Sequence, residues 1–287
     1  MTSAALLLVL SAALFHAVWN AAAKGARGSS YVFVWLNSVG SAVLCLPLAL
    51  VQLGRAGWPW DWTFLAGPVV SGVLHIVYSL VLQAGYQRAE LGVVYPVARG
   101  VGPLLTMLVA LLVLGERPGL AGVVGAVVVL AGILVVATGN RVAHRDRLVQ
   151  GLVYGTATGV AIASYTLWDN HAVVTWGMDP LIYFAFTITT QAVLLAPGAV
   201  RRRAHWQVTV RTSWPRSAVV AVLSPLAYVL VLIAMQTTPV SLVAPVRESS
   251  IVIGSLLAWW LYREPNPVRR LIGAVVVLVG IGMIAAG

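Results

Sequence analysis

"GAVVVLAGI" at residues 125–133 returns as "GAVVVLVGI" at 273–281, with eight of nine positions identical at an offset of 148. A Val/Ala/Gly match of this kind is weak alone, because apolar segments draw on few residue types. The polar residues strengthen it. The same offset pairs Glu116 with Glu264 and Arg99 with Arg247. One residue of slippage, to 149, pairs Pro96 with Pro245, Gln87 with Gln236 and Trp19 with Trp168. The chain therefore reads as a duplication, and its composition says of what.

Of 287 residues, 60% are apolar and 9% charged, and the mean hydropathy is +0.92. That balance belongs to a membrane protein. Ten apolar stretches occur, at 4–23, 31–53, 63–84, 91–114, 119–138, 153–172, 181–200, 217–235, 240–261 and 268–286. Each is long enough, at ~1.5 Å per residue, to cross a hydrocarbon core of ~30 Å. They are apolar all round instead of alternating, which excludes a membrane β-barrel.

The expected fold is an all-α polytopic membrane protein: ten transmembrane helices as two five-helix repeats, 1–138 and 153–287, joined by a basic linker at 139–152. Five is odd, so the second repeat enters the membrane from the opposite side. The repeats are then inverted about a pseudo-two-fold axis in the membrane plane, an internal symmetry common in secondary transporters. Residues 1–23 read as the first span and not as a cleaved leader, because no Lys or Arg precedes the apolar run. The longest connections, 139–152 and 201–216, are too short for a soluble catalytic domain.

The net charge of +10 is distributed unevenly. Of the 18 Lys and Arg, 14 fall on the face that receives the first, third, fifth, seventh and ninth connections, two (Arg55 and Arg117) on the other, and two inside spans. This bias predicts that the basic face is cytoplasmic and both termini lie outside, in a multi-pass protein of the cytoplasmic membrane. The basic loops are expected to meet lipid head groups, with no nucleic acid as partner. Cys45 is the single cysteine, so no intramolecular disulfide or cysteine metal site is available.

"HAVWN" (16–20), "YPVARGVGPLLTMLVALLVLGERPG" (95–119) and "APVRESSIVIGSLLAWWLYREP" (244–265), with a Gly-rich span closing each half, resemble the EamA-type members of the drug/metabolite transporter superfamily. The resemblance covers essentially the whole chain, and its clearest mark is the segment from the proline to "GER" with the span that follows. It implies a ten-helix transporter of small metabolites without an ATP-binding domain. The second copy reads "YREP" where the first reads "GERP". Glu116 and Glu264 are accordingly given a capping or lipid-interface role.

An arginine at the centre of a span costs ~2.5 to 3.5 kcal/mol on insertion scales, so Arg99 and Arg247 need compensation or a use. Arg99 lies ~12 Å into a span that starts at the basic face, and Arg247 ~10 Å into one that starts at the opposite face. Inversion thus sets two guanidinium groups on either side of the midplane. Each follows a proline, Pro96 or Pro245, that removes a backbone donor and can break the helix, and Pro103 adds a further break. Guanidinium forks suit carboxylate, phosphonate or phosphate groups. The competing reading is that both arginines are satisfied by helix carbonyls or by Glu248. Consecutive residues on a helix diverge by ~100°, so Arg247 and Glu248 need not pair with each other.

His16, Trp19 and Asn20 share one helix face at the depth of Arg99, and the repeat-related Tyr165, Trp168 and Asp169 lie at the depth of Arg247. Tyr95 stands one turn before Arg99. The substrate-binding candidates are therefore Arg99, Arg247, Tyr95, His16, Trp19, Asn20, Trp168 and Tyr165. Glu248, His16 and Asp169 are titratable groups inside spans and are candidates to carry a coupling proton. For each a bland role exists: His16 as an interhelical hydrogen bond, Trp168 as part of an interfacial aromatic belt, and likewise His75 with Tyr78 as interhelical hydrogen bonding. The glycines of the fifth and tenth spans are read as helix packing or dimerisation, with monomer and homodimer both open.

The expected activity is secondary active transport of a small polar metabolite, anionic or zwitterionic, by alternating access, as an exporter. No catalytic residue, metal or cofactor is assigned. Efflux of cationic or neutral drug-like compounds is the alternative, and an intramembrane enzyme acting on lipid or peptide is the alternative of another class. Against the last, the sequence contains no HExxH, GxSxG or paired-aspartate motif.

Overall fold

The computed structural model describes residues 1–24, 26–57, 61–88, 91–137, 145–253 and 267–286. Ten α-helices fall within them: α1 Ser3–Lys24, α2 Ser30–Ala56, α3 Thr63–Arg88, α4 Leu91–Leu112, α5 Gly119–Ala137, α6 Arg145–Val174, α7 Pro180–Arg201, α8 Trp206–Met235, α9 Val240–Arg247 and α10 Pro267–Ala286. Five stretches, in α1, α2, α3, α7 and α8, are long and apolar enough to cross a membrane, and shorter apolar helices lie at Val97–Leu112, Gly119–Gly132 and Val275–Ile284. Large apolar side chains such as Leu7, Val43, Leu48, Leu65 and Leu278 face outward, as lipid-facing positions should. The fold is a polytopic helical bundle of two inverted five-helix repeats.

The helix neighbours repeat across the halves. Helix α1 packs on α8 as α6 packs on α3, and α2 on α8 as α7 on α3. The pairs α2–α7, α4–α9 and α5–α10 each join a helix to its own counterpart. The opening sequence motif forms the last of these seams. A Cβ on Gly125 would stand 2.8 Å from the Gly280 carbonyl oxygen, and one on Gly132 would stand 3.0 Å from that of Gly273. Only glycine permits two antiparallel backbones to approach so closely. These glycines are spent inside the chain. The buried core draws Val9, Met107, Val129, Tyr183, Leu232 and Val243 from both repeats, so the halves form one body.

Two helices begin earlier than the apolar stretches suggest: α8 at Trp206 instead of 217, and α6 at Arg145 instead of 153. For α8 the cause is visible. Its first turns bury Thr209 and Ser213. Ser213 Oγ accepts from Arg27 N at 2.8 Å and donates to Arg27 O at 3.0 Å, and Thr209 Oγ1 accepts from Ser29 N at 3.1 Å. The stretch read as a basic loop is thus a helical extension that clamps the α1–α2 connection. Between these residues Gly28 has φ +92°, and a Cβ there would meet Thr209 Oγ1 at 2.6 Å.

The fourth helices differ. Helix α4 runs unbroken through Pro96 and Pro103, whereas α9 stops at Arg247 and the chain turns at Glu248 and Ser249 before re-entering helix at 250–253. Pro245 has no N–H for the Ser241 carbonyl. Beyond it, Glu248 N bonds Pro245 O at 3.1 Å and Ser249 N bonds Val246 O at 3.1 Å, the tighter three-residue spacing. At the other end of α9, Glu116 accepts from Val240 N and Ser241 N, both at 3.0 Å, so one repeat caps a helix of the other. Glu264 lies outside the described residues.

Candidate functional site

A cavity of about 170 Å³ lies between the repeats. Aromatic rings of Trp19, Tyr78, Tyr165 and Tyr228 form one wall. Asn37 and Ser38 of α2 face Thr187 and Gln191 of α7 on another, with Ser38 Oγ donating to Gln191 Oε1 at 2.8 Å. Arg247 and His16 add the charged and titratable side. A second cavity shares Val34 and Ser79 with the first and runs to Ser30 and Ala84, near the basic-face ends of α2 and α3. On the opposite face, Trp168 Nε1 donates to Gly67 O at 2.9 Å, and the Trp168 ring packs edge-on against Trp176. The cavity at that face, lined by Trp176 and Asp179, shares no lining residue with the central one.

The buried charges form two groups. In the first, Arg99 Nη1 donates to Glu248 Oε2 at 3.0 Å, while Arg247 Nε and Nη2 both donate to Glu248 Oε1 at 3.2 Å. All three side chains are at most 4% exposed. One carboxylate therefore bridges two guanidinium groups, and the trio carries a net charge of +1. Burial of so many charges requires this pairing, because an unpaired buried ion costs several kcal/mol. Arg99 Nη2 lies 2.7 Å from His16 Nε2. A guanidinium has only donors, so this nitrogen accepts and the His16 ring carries no proton there.

Arg247 pairs with its neighbour Glu248, the partner named in the competing sequence reading. Two consecutive side chains diverge on a regular helix, but Glu248 is the capping residue where α9 ends. Its carboxylate also reaches across to α4, and this fixes the direction both arginines point.

In the second group, the fully buried Asp169 accepts from Tyr183 Oη at 2.6 Å on Oδ1 and from Tyr228 Oη on Oδ2. His75 Nε2 faces Asp169 Oδ2 at 3.9 Å. The other ring nitrogen, Nδ1, lies 3.0 Å from the Ser71 carbonyl oxygen. The imidazole stacks on Tyr165 at 4.2 Å.

Of the residues singled out from the sequence, Arg247, His16, Trp19 and Tyr165 line the central cavity. Arg99, Asn20 and Trp168 are not among its lining residues: Arg99 stands behind Glu248, Asn20 Nδ2 bonds His16 O at 2.7 Å, and Trp168 binds α3. Pro103 is buried in α4. The side chains of Tyr95 and Pro96 lie outside the described residues. Sequence reasoning passed over Asn37, Gln191 and Tyr228 and gave His75 interhelical hydrogen bonding as its alternative role. Ser38 and Thr187 carried a usable signal, since the offset of 149 pairs them and both line the cavity. Among the described residues, buried Trp19 Nε1 and Asn37 Oδ1 have no hydrogen-bond partner, a donor and an acceptor that both sit on the cavity wall.

The chain matches the model of the EamA-like transporter family over residues 3–138 and again over 149–286. It is 28% identical over 138 residues to an uncharacterized protein of Methanocaldococcus jannaschii, a match covering 47% of this chain and 98% of that protein. A solved structure titled "Crystal structure of protein" superposes with a TM-score of 0.77 at 19% identity, covering 100% of this chain and 98% of that one. At that identity the likeness speaks for the fold.

Proposed function

The chain belongs to the EamA-like transporter family, and from that premise we propose that it is a secondary transporter carrying a small anionic or zwitterionic metabolite across the cytoplasmic membrane by alternating access. The observation that carries the substrate class is Arg247. It is 4% exposed, forms part of the wall of the cavity between the repeats, and belongs to a charge trio with one positive charge in excess. A carboxylate or phosphate on the solute offsets that excess. Trp19 Nε1 and Asn37 Oδ1, unpartnered on the same wall, supply a donor and an acceptor to orient it. Arg99 acts indirectly, holding Glu248 and His16 in place.

The basic face is read as cytoplasmic from its 14 to 2 share of Lys and Arg outside the spans. The second cavity, which shares Val34 and Ser79 with the central one, lies towards that face, and the Trp168–Gly67 contact lies at the other; both support the reading that solute loads from the cytoplasm and is exported. Binding and release, with no chemical step, make the protein a transporter and not an enzyme.

Metabolite profiles of cells with and without the protein name the solute, and flux of that solute into ATP-free proteoliposomes measures it. Arg247→Gln is expected to reduce flux about tenfold or more, the loss of one charge-assisted hydrogen bond of ~1.5 to 3 kcal/mol. Wild-type flux in both Arg247→Gln and Arg99→Gln contradicts the anionic reading and favours a cationic or neutral drug-like solute.

A further inference from the structure

Among the described residues, Arg99, Arg247, Glu248 and Asp169 are the buried guanidinium and carboxyl side chains at the centre, and their formal charges sum to zero. Glu248 is consumed by the two arginines. Asp169 is not. It is fully buried, receives hydrogen bonds from tyrosines on α7 and α8, and pairs with no arginine among the described residues. The nearest group able to become cationic is His75, whose Nε2 stands 3.9 Å from Asp169 Oδ2.

The histidine is oriented for that purpose. A carbonyl oxygen can only accept, so the contact between Nδ1 and Ser71 O at 3.0 Å places the proton of the neutral ring on Nδ1. This leaves the Nε2 lone pair directed towards the carboxylate, where a second proton is stabilised by a negative charge partner. Stacking on Tyr165 at 4.2 Å and the edge of Tyr228 at 5.4 Å hold the ring. His75 lines the central cavity, and Val34 and Ser79 border both that cavity and a second one towards the basic face, the side from which protons would reach it.

We propose that His75 and Asp169 form a proton-binding site, with the proton held on His75 Nε2 against the Asp169 carboxylate, and that the bound proton is the coupling ion. This deepens the transport reading and rests on it. Bound, the proton raises the central charge from zero to +1, so a monoanionic solute and the proton favour each other's binding. They then cross together, one proton per anion, without net charge movement. The solute's outward gradient drives the pair.

Every helix against this part of α3 contributes to the balance. Asp169 and Tyr165 face His75 from α6, Tyr183 reaches Asp169 from α7, and Tyr228 reaches both from α8. On α3 itself Tyr78 packs on Tyr165. Arg247 on α9 brings a positive charge to the same cavity wall as His75, and Arg99 on α4 is engaged with Glu248 and His16. An anion bound at Arg247 masks the opposing charge, which is the physical link between the two ligands. His16, by contrast, has its Nε2 occupied by the Arg99 guanidinium at 2.7 Å.

The test needs no solute. Full-length protein is reconstituted in liposomes on a solid-supported membrane, and transient charge displacement is recorded as pH is stepped across the histidine range, from about 8 to about 5. The wild type is expected to give a saturating transient. His75→Gln and Asp169→Asn are each expected to lose it, while His205→Gln, at an exposed position outside the spans, retains it. Should Asp169→Asn not fold, His75→Gln decides alone, because it leaves Asp169 both tyrosine donors. A wild type without a transient, or one that persists in His75→Gln, overturns the proposal. Because the current is measured without solute, its absence alongside intact solute flux sinks the proton site alone. Absent flux with the current present sinks the transport reading.

Discussion

Glu248 decides the most at the scale of a single residue. It is fully buried and bonds two arginines at 3.0 to 3.2 Å, so neutralising it leaves two like charges facing each other without a counterion. Breaking such a buried arrangement typically costs about 3 to 5 kcal/mol. Glu248→Gln should therefore lower the thermal midpoint in a fixed detergent sharply, and adding Arg99→Met should restore part of the loss by removing one stranded charge. Equal midpoints for wild type and Glu248→Gln would contradict the bridging role. The two arginines were legible in the sequence as charges in apolar spans at mirrored depth. Glu248 was named as a partner in the competing reading, but its simultaneous bridge to both was not legible, because a continuous helix turns residues 247 and 248 apart. Only the break that Pro245 introduces lets one carboxylate meet both. The Asp169–His75 pair escaped for another reason. It joins residues 94 positions apart on α3 and α6, and nothing in the local pattern of either helix marks the meeting.

At the scale of elements, the α5–α10 seam gives the plainest prediction. A Cβ on Gly280 would lie 2.7 Å from the Gly125 carbonyl oxygen and from Val129 N, both backbone atoms that cannot swing away. Gly282, two residues on, has nothing within 4 Å of a Cβ. Gly280→Ala is expected to destabilise by about 1 to 3 kcal/mol or more, as overpacking does, and Gly282→Ala to stay near the wild type. Equal thermal midpoints for the two variants would show that the seam yields. The repeated motif revealed the duplication, but it left dimerisation open as the use of its glycines. Contact between the two copies of one motif settles where they are used, across the pseudo-axis within one chain. Helix lengths were less legible, because the early turns of α8 carry arginines and hydroxyl groups that read as loop until Ser213 and Thr209 are seen gripping the α1–α2 connection.

For the whole molecule, symmetry was legible and its breaking was not. An offset of 149 makes Trp19 and Trp168 equivalents. Trp168 donates to Gly67 O at one face, whereas the Trp19 indole N–H is buried without a partner on the wall of the central cavity. Under the proposed alternating access, these equivalents are two latches, one made and one open in this state, and exchanging their roles would give the other. The most direct test replaces Cys45, the single cysteine, with alanine and places one at the cavity wall by Ile188→Cys. A membrane-impermeant thiol reagent is then applied from each side in turn. Labelling from the basic face is expected in this background, with labelling from the opposite face rising several-fold when Trp168→Phe removes the latch hydrogen bond of about 1 kcal/mol. Reaction confined to one face both with and without Trp168→Phe would contradict alternating access.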